Sequence, residues 1–297
     1  MDLNLMCISP LITKNILNIA AYRFMDVDQL PERREILSAL CQNLSLKGSI
    51  LLSTEGINLF LAGTEDNINT FIGYLNENPF FKPLGMAAAT YKKSWSASQP
   101  FNRMLVKLKQ EIIPLGLPEI QPSKHTAPAL PPQLLKQWLD EGIDFTLLDT
   151  RNDYEIRLGT FEKATVLDLQ HFRDFPSACA AQLPEDAKQK PMVMFCTGGI
   201  RCEKASVALE EQGYSQVYQL EGGILNYFEQ CGGAHYNGDC FVFDKRVALD
   251  PNLEETKAAL CYRCLNPLTE AEQQSPDYVV DVSCPYCIDR QKQVQKV

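Results

Sequence analysis

Residues 191–210 read PMVMFCTGGIRCEKASVALE. An apolar run ends in Cys196, a Gly-Gly loop follows, and beyond Arg201 the pattern becomes helical. Strand, loop and helix in that order bring a thiol to a place where backbone N–H groups and a helix dipole favour negative charge. Thiols so placed ionise readily and react as thiolates. Cys196 is therefore the candidate nucleophile. Gly198 and Gly199 allow the tight turn that aims N–H groups inward, and Arg201 adds a fixed positive charge close by. The structural alternative is a buried cysteine closing a core strand; the glycines and the arginine count against it.

Around this stretch, residues 129–232 alternate strands and helices. PPQLLKQWLDEG (131–142) reads as a helix and FTLLD (145–149) as a buried strand. ATVLDL (164–169) and QVYQL (216–220) supply further strands, and CEKASVALEEQG (202–213) is helical. That is the grammar of an open parallel α/β sheet, whose ligands bind at the carboxyl ends of the strands. Cys196 stands at such an end.

Residues 16–112 form a separate α+β unit. The pattern predicts a strand at 16–24, a helix at 30–44 with Pro31 and Glu32 in its first turn, and a hairpin of 49–54 and 57–63 around Glu55-Gly56. Thr64 caps a helix running to about Asn78, and RMLVKLKQEI (103–112) is the closing strand. The order β-α-β-β-α-β is ferredoxin-like or acylphosphatase-like, and the domain is placed at 1–112. Six prolines crowd residues 113–128 and their margin, Pro114 to Pro132, which reads as a semi-stiff linker. The Cys-rich tail, 233–297, carries Cys261-Tyr-Arg-Cys264 and Cys284-Pro-Tyr-Cys287, with 19 residues between the pairs. This spacing suits a four-cysteine structural zinc site; reduced cysteines or two redox-active pairs are the alternatives. Cys231 and Cys240 are further thiols nearby, Cys240 in a strand-like setting.

The chain has 297 residues, 11 cysteines and a net charge of −9. No apolar run approaches the roughly 18 residues of a membrane span. MDLNLMCISPLITKN (1–15) lacks the basic start and apolar core of a secretion signal. The expected compartment is the cytoplasm, where clustered cysteines mean metal or thiol chemistry rather than disulfides.

DTRNDYE (149–155), Gly159, CTGGIR (196–201) and EGGILNY (221–227) resemble the successive motifs of the rhodanese domain. With EGIN (55–58) and SCPYC (283–287), nearly the whole chain is similar to the bacterial rhodanese-domain tRNA uridine 34 hydroxylases. The resemblance implies formation of 5-hydroxyuridine at the wobble position, with molecular oxygen as co-substrate and a tRNA anticodon stem-loop as partner. It makes Cys196 the active cysteine, passing through a persulfide on the rhodanese pattern. Arg201 and the loop amides of Thr197, Gly198, Gly199 and Ile200 would hold the anion. Asp149 and Arg151 match the signature near the loop, as an ion pair or cap that fixes it. Cys202 is either a resolving thiol or a packing residue.

A phosphatase loop of the dual-specificity type needs its arginine six positions after the cysteine; here Arg201 is the fifth, which disfavours that class. A sulfurtransferase remains the rival reading, because the loop chemistry alone predicts sulfur transfer. The three histidines, His125, His171 and His235, give no two-histidine, one-carboxylate iron pattern, and no flavin or NAD site is recognised. For RNA, residues 78–110 hold no acidic residue and carry Lys92, Lys93, Trp95 and Arg103 among other cations and aromatics. Phosphate neutralisation with stacking is what a single-stranded loop requires; an ordinary solvated face is the alternative.

Overall fold

The computed structural model describes residues 15–89 and 91–288; residues 1–14 of the stretch read for a secretion signal and residues 289–297 of the tail lie outside them. The N-terminal unit runs β1 (Ile16–Phe24), α1 (Leu30–Asn43), β2 (Lys47–Ser53), β3 (Gly56–Gly63), α2 (Glu65–Glu77), β4 (Lys92–Ser96) and β5 (Met104–Leu108). Thr64 caps α2, its hydroxyl accepting from the Asn67 N–H at 3.4 Å. The sheet order is β4-β1-β3-β2-β5. The strand that closes the β-α-β-β-α-β unit is thus β4, antiparallel to β1, and not residues 103–112. The latter supply β5, added parallel to β2 at the far edge. The sequence KKSWS hides β4 because charged residues are what an edge strand carries, whereas RMLVKL alternates visibly.

Side chains alternate across a sheet with period two, and here the two faces have different tasks. Leu17, Ile19 and Ala21 of β1, Ile50 and Leu52 of β2, and Ile57, Leu59 and Leu61 of β3 pack against Leu37 of α1 and Phe71 of α2 in one core. Ala20, Tyr22, Ser49, Leu51, Asn58 and Phe60 occupy the opposite face, which lines a cavity shared with the second sheet.

That second sheet is parallel, in the order β6 (Ala129–Leu130), β11 (Val217–Leu220), β10 (Met192–Phe195), β7 (Thr146–Asp149), β9 (Ala164–Val166). Between these strands lie α3 (Pro132–Glu141), α4 (Asp153–Ile156), β8 (Gly159–Phe161), α5 (Phe175–Gln182) and α6 (Ile200–Glu211); α7 (Gly223–Cys231) follows β11. All four residues of β10 are buried, as expected of a central strand covered on both faces. Met192 and Met194 join Phe175 and Leu209 on the α5–α6 side. Val193 and Phe195 join Leu135 and Tyr227 on the α3–α7 side. Residues 113–128 contain no helix or strand, yet Leu115, Ile120 and Ala127 are buried in the α5–α6 core. The apolar residues between the prolines thus moor this stretch to the second sheet.

Beyond α7, β12 (Tyr236–Gly238) pairs with β8, β13 (Cys240–Phe241) with β14 (Ala248–Leu249), and β15 (Ala259–Leu260) with β16 (Pro267–Leu268), before α8 (Glu270–Gln273). Among the described residues no helix is long and apolar enough to cross a membrane.

The two sheets meet through polar contacts centred on α6. Lys204, only 1% exposed, places Nζ 2.7 Å from Glu55 Oε2 and 2.6 Å from Glu111 Oε2. The Tyr22 hydroxyl donates to Glu203 Oε1 at 3.1 Å. Removing one member of a buried ion pair strands the other charges. Both carboxylates keep about a fifth of their exposure, so Lys204→Ala is expected to cost about 2–3 kcal/mol, below the usual figure for full burial. Urea unfolding of the variant against the parent measures it.

Candidate active site

Cys196 leaves the carboxyl end of β10, and Gly199, at φ 97°, turns the chain into α6. That left-handed conformation is one an L side chain rarely adopts. It lets the Gly199 N–H donate to Cys196 Sγ at 3.1 Å. A second helix closes the loop from the other side. The N–H groups of Ile224 and Leu225, in the first turn of α7, donate to the carbonyls of Cys196 (2.9 Å) and Thr197 (3.1 Å). A Cβ on Gly223 would stand 2.4 Å from the Cys196 carbonyl oxygen, so the EGGILNY motif is the close approach of α7 to the thiol loop.

Burial pushes the Cys196 thiol up. The Cys202 hydrogen bond, the Arg201 charge and the N–H groups of Arg201 and Gly198 outweigh it and bring the thiol down to about 5. Cys202 sits in the first turn of α6, fully buried, with its sulfur 3.8 Å from the Thr150 hydroxyl. Burial and the neighbouring Cys196 push its own thiol up. The pair therefore divides into one thiolate and one thiol.

Arg201 does not turn its guanidinium into the loop as a free cation. It forks onto Glu155, with Nη1 to Oε2 at 2.5 Å and Nη2 to Oε1 at 2.8 Å, both side chains being buried. What Arg201 gives Cys196 is its backbone N–H, a side-chain hydrogen bond and a charge largely matched by a carboxylate. Glu155 escaped sequence reasoning. The signal was present: Asn152-Asp-Tyr-Glu155 is a capping-box pattern, and the Asn152 N–H does donate to Glu155 Oε2 at 3.0 Å.

Asp149 and Arg151 lie beside this centre as a fully buried pair. Arg151 Nη2 donates to Asp149 Oδ2 and to the Gly159 carbonyl, each at 2.7 Å. The Thr160 hydroxyl completes the carboxylate's partners at 2.8 Å. The pair ties β7, the following turn and β8 together under the loop.

The loop floors a cavity of about 720 Å3, inside the roughly 300–1,000 Å3 range of small-molecule sites. Its opposite wall is the N-terminal sheet. Tyr22 reaches the loop itself: a Cβ on Gly199 would lie 3.0 Å from its hydroxyl oxygen. Burial first, then Glu203 and Cys196, push the Tyr22 phenol up. It stays a proton donor.

The residues read as an RNA surface are not brought together. Lys92 faces the cavity; Lys93 and Trp95 pair with Ile19 and Leu17 and so share the opposite, helix-side face, both exposed. Arg103 precedes β5 at the other edge of the sheet, four strand spacings or roughly 19 Å away.

In the tail, the sulfurs of Cys261, Cys264, Cys284 and Cys287 all lie within 4.8 Å of one another. Individual separations are 3.9 Å (Cys261–Cys287), 3.5 Å (Cys264–Cys284) and 3.7 Å (Cys284–Cys287). Four thiolates about 2.3 Å from a tetrahedral zinc would be about 3.8 Å apart, so the group fits such an ion. Cys240, in β13, and Cys231, ending α7, are not among the four. The cluster docks on α4 and its following residue: the Arg157 guanidinium lies 3.8 Å from the centroid of the Tyr286 ring and its Nη2 donates to Asn266 Oδ1 at 2.6 Å.

The likeness to known proteins follows this architecture. Residues 16–112 match the UPF0176 acylphosphatase-like domain and residues 131–230 the rhodanese-like domain. A protein of Cupriavidus necator named tRNA uridine(34) hydroxylase is 48% identical over 94% of this chain and 98% of its own length. One of the same name from Burkholderia vietnamiensis is 48% identical over 92% and 97%. The chain belongs to the tRNA uridine(34) hydroxylase family. Within this family member, the cavity between the two matched domains is where the low thiol and the Tyr22 phenol converge.

A lowered thiol pKa means that deprotonation, which advances as pH rises, is complete at lower pH than usual. Iodoacetamide labelling of Cys196 is expected to reach half its plateau rate near pH 5 and to be flat above pH 6.5, while an ordinary thiol, at about 8.5, is still rising. Mass-spectrometric quantification of the Cys196 peptide across pH 4–9 checks this; a midpoint above 8 contradicts the electrostatic account.

Proposed function

We propose that this chain hydroxylates uridine 34 of tRNA to 5-hydroxyuridine, with Cys196 as its catalytic thiolate and molecular oxygen as co-substrate. The observation that carries the reading is the ionised Cys196 at the base of a cavity built by both domains, in a chain that matches its named relatives nearly end to end. A base stacked in a duplex or loop cannot reach so recessed a sulfur, so the target nucleotide must be drawn out of its stack. The partner is accordingly the anticodon stem-loop, and the expected setting is the cytoplasm.

Insertion of one atom of molecular oxygen at a C–H bond leaves the second atom to be reduced to water, which takes two electrons and two protons. Cys196 and Cys202 together hold those electrons: oxidation of the Cys196 thiolate and the Cys202 thiol to one disulfide releases two electrons and one proton, and the second proton comes from water. Cys202 is therefore the resolving thiol in this proposal, its raised pKa keeping its proton until Cys196 has reacted. Thr197, Gly198, Gly199 and Ile200 supply the loop that holds the sulfur anion. Asp149 and Arg151 position that loop.

The second reading is a sulfurtransferase with a Cys196 persulfide. It is favoured by one observation, a loop whose Gly199 N–H points at a single sulfur at 3.1 Å. Nucleoside mass spectrometry of tRNA from cells separates the two. Cys196→Ala is expected to remove 5-hydroxyuridine, and Cys202→Ser to lower it by at least tenfold while leaving Cys196 alkylation intact. Undiminished 5-hydroxyuridine in Cys196→Ala, with thiocyanate formed from thiosulfate and cyanide by the parent, establishes the sulfurtransferase instead.

Cys261, Cys264, Cys284 and Cys287 would hold a structural zinc, which supplies a cross-link to a tail too small to stabilise itself. Elemental analysis is expected to give one zinc per chain, falling below a tenth in Cys264→Ser/Cys284→Ser. Because the cluster rests on Arg157, that variant should also speed hydrogen exchange in α4.

A further inference from the structure

The cavity above Cys196 adjoins a smaller pocket of about 60 Å3, and Ala20, Phe60, Lys92, Thr197, Leu225 and Phe243 line both. Phe60, Lys92 and Phe243 among them carry recognition chemistry without touching the thiol loop's hydrogen bonds. Phe60 lies on β3, a central strand of the N-terminal sheet, on the face turned away from α1 and α2. Phe243, just after β13, is 50% exposed. Its ring stands edge-on to Phe241 with centroids 5.0 Å apart, and the Arg201 guanidinium is 6.0 Å from its centroid. An aromatic ring left half open at the mouth of a cavity forgoes burial that a core position would give it. The segment bearing it is nevertheless pinned: Arg246 Nη1 donates to Ser94 Oγ at 2.6 Å and the Lys245 N–H to the Pro100 carbonyl at 3.2 Å. The exposed ring is held in place in advance of any ligand.

Lys92 adds charge to the same neck. Its Nζ lies over the EGG turn, 2.5 Å from where a Cβ on Gly222 would be; Glu229 and Glu221 are the carboxylates whose charge acts on it, and neither makes a direct ion pair with it. In a chain of net charge −9, an ammonium at the cavity wall beside two aromatic rings, with no carboxylate in direct contact, complements a phosphate next to a planar base. A β-α-β-β-α-β sheet that presents an aromatic on a central strand to single-stranded nucleotides is a known way of reading RNA. Here the sheet face doubles as the wall of a catalytic cavity.

We propose that Phe60 and Phe243 are stacking walls for a single pyrimidine nucleotide drawn out of an RNA loop, and that Lys92 faces its phosphate. This rests on the reading above that the substrate is a tRNA wobble uridine. The surface differs from the one the sequence suggested: Trp95 and Arg103 line neither pocket, and Lys93 borders only the smaller one.

The test uses the full chain and a 17-nucleotide anticodon stem-loop carrying 4-thiouridine at position 34. Irradiation is expected to cross-link the RNA to peptides containing Phe60 or Phe243. Phe60→Ala and Phe243→Ala should each raise the Kd about tenfold, as loss of one base stack does, and Phe→Tyr at either position should restore it to within about twofold. Lys92→Ala should weaken binding and reduce the slope of log K against log salt by about one, whereas Arg103→Ala, at the far edge of the sheet, should leave that slope unchanged. The Cys196 alkylation profile reports that each variant keeps its fold. Cross-links confined to residues 196–201, with the Kd unmoved in both alanine variants, overturn the stacking walls and leave the substrate reading standing. Absence of any cross-link within the cavity overturns the substrate reading, and the walls with it.

Discussion

One ionised sulfur, removed from solvent, sets the terms for the rest of the molecule. A buried thiolate is costly unless donors surround it, and each neighbouring element answers that cost. Gly199 aims an N–H at the sulfur, α6 begins beneath it, and α7 ties down the loop carbonyls so that the amides face inward. Gly223 exists for that last contact, since any side chain there would strike the Cys196 carbonyl. The Glu155–Arg201 pair belongs to the same arrangement. A lone arginine would stabilise the thiolate more strongly, but it would also clamp an incoming anion. Matched by Glu155, it leaves the loop amides to hold a single sulfur and keeps the cavity's net charge low.

The rhodanese-like half was legible because its signals are local. A strand, a thiol, two glycines and a helix within twenty residues determine one another's geometry, and the order of strands and helices around them implies the parallel sheet. Glu155 was readable in the same way, as the fourth residue of a capping box, and was overlooked because its second partner lies 46 residues away. The strand β4 was missed for a different reason. An edge strand is allowed to be polar, so KKSWS carries no hydrophobic alternation to betray it. Once that strand is in place, period two separates Lys92 from Lys93 and Trp95, and an apparent basic patch divides between two faces of a sheet.

What no local pattern discloses is the meeting of the two domains. The Tyr22–Glu203 hydrogen bond joins residues 181 positions apart, and Lys204 finds its two carboxylates on the N-terminal unit and at that unit's C-terminal boundary. Neither contact leaves a trace in periodicity or composition. Both place charged groups on α6 within one turn of the catalytic loop, on the side facing the N-terminal sheet. The helix that stabilises the thiolate is thus also the helix on which the other domain is seated.

That shared helix changes what the N-terminal domain is for. A tethered RNA-binding module would deliver a substrate and leave the chemistry to its neighbour, and its own position would matter little. Here the open face of the sheet is a wall of the cavity above Cys196, and its tyrosine hydroxyl stands against the glycine that turns the loop. A displacement of the N-terminal unit by an ångström or two would alter the chamber and the environment of Cys196 together. The polar seam is well suited to that demand. Hydrogen-bonded charges at Lys204 and Glu203 fix orientation in a way that a greasy contact does not, because a slipped register leaves a buried ammonium without its carboxylates. The shape of the cavity and the environment of the thiol are therefore two consequences of a single docking geometry.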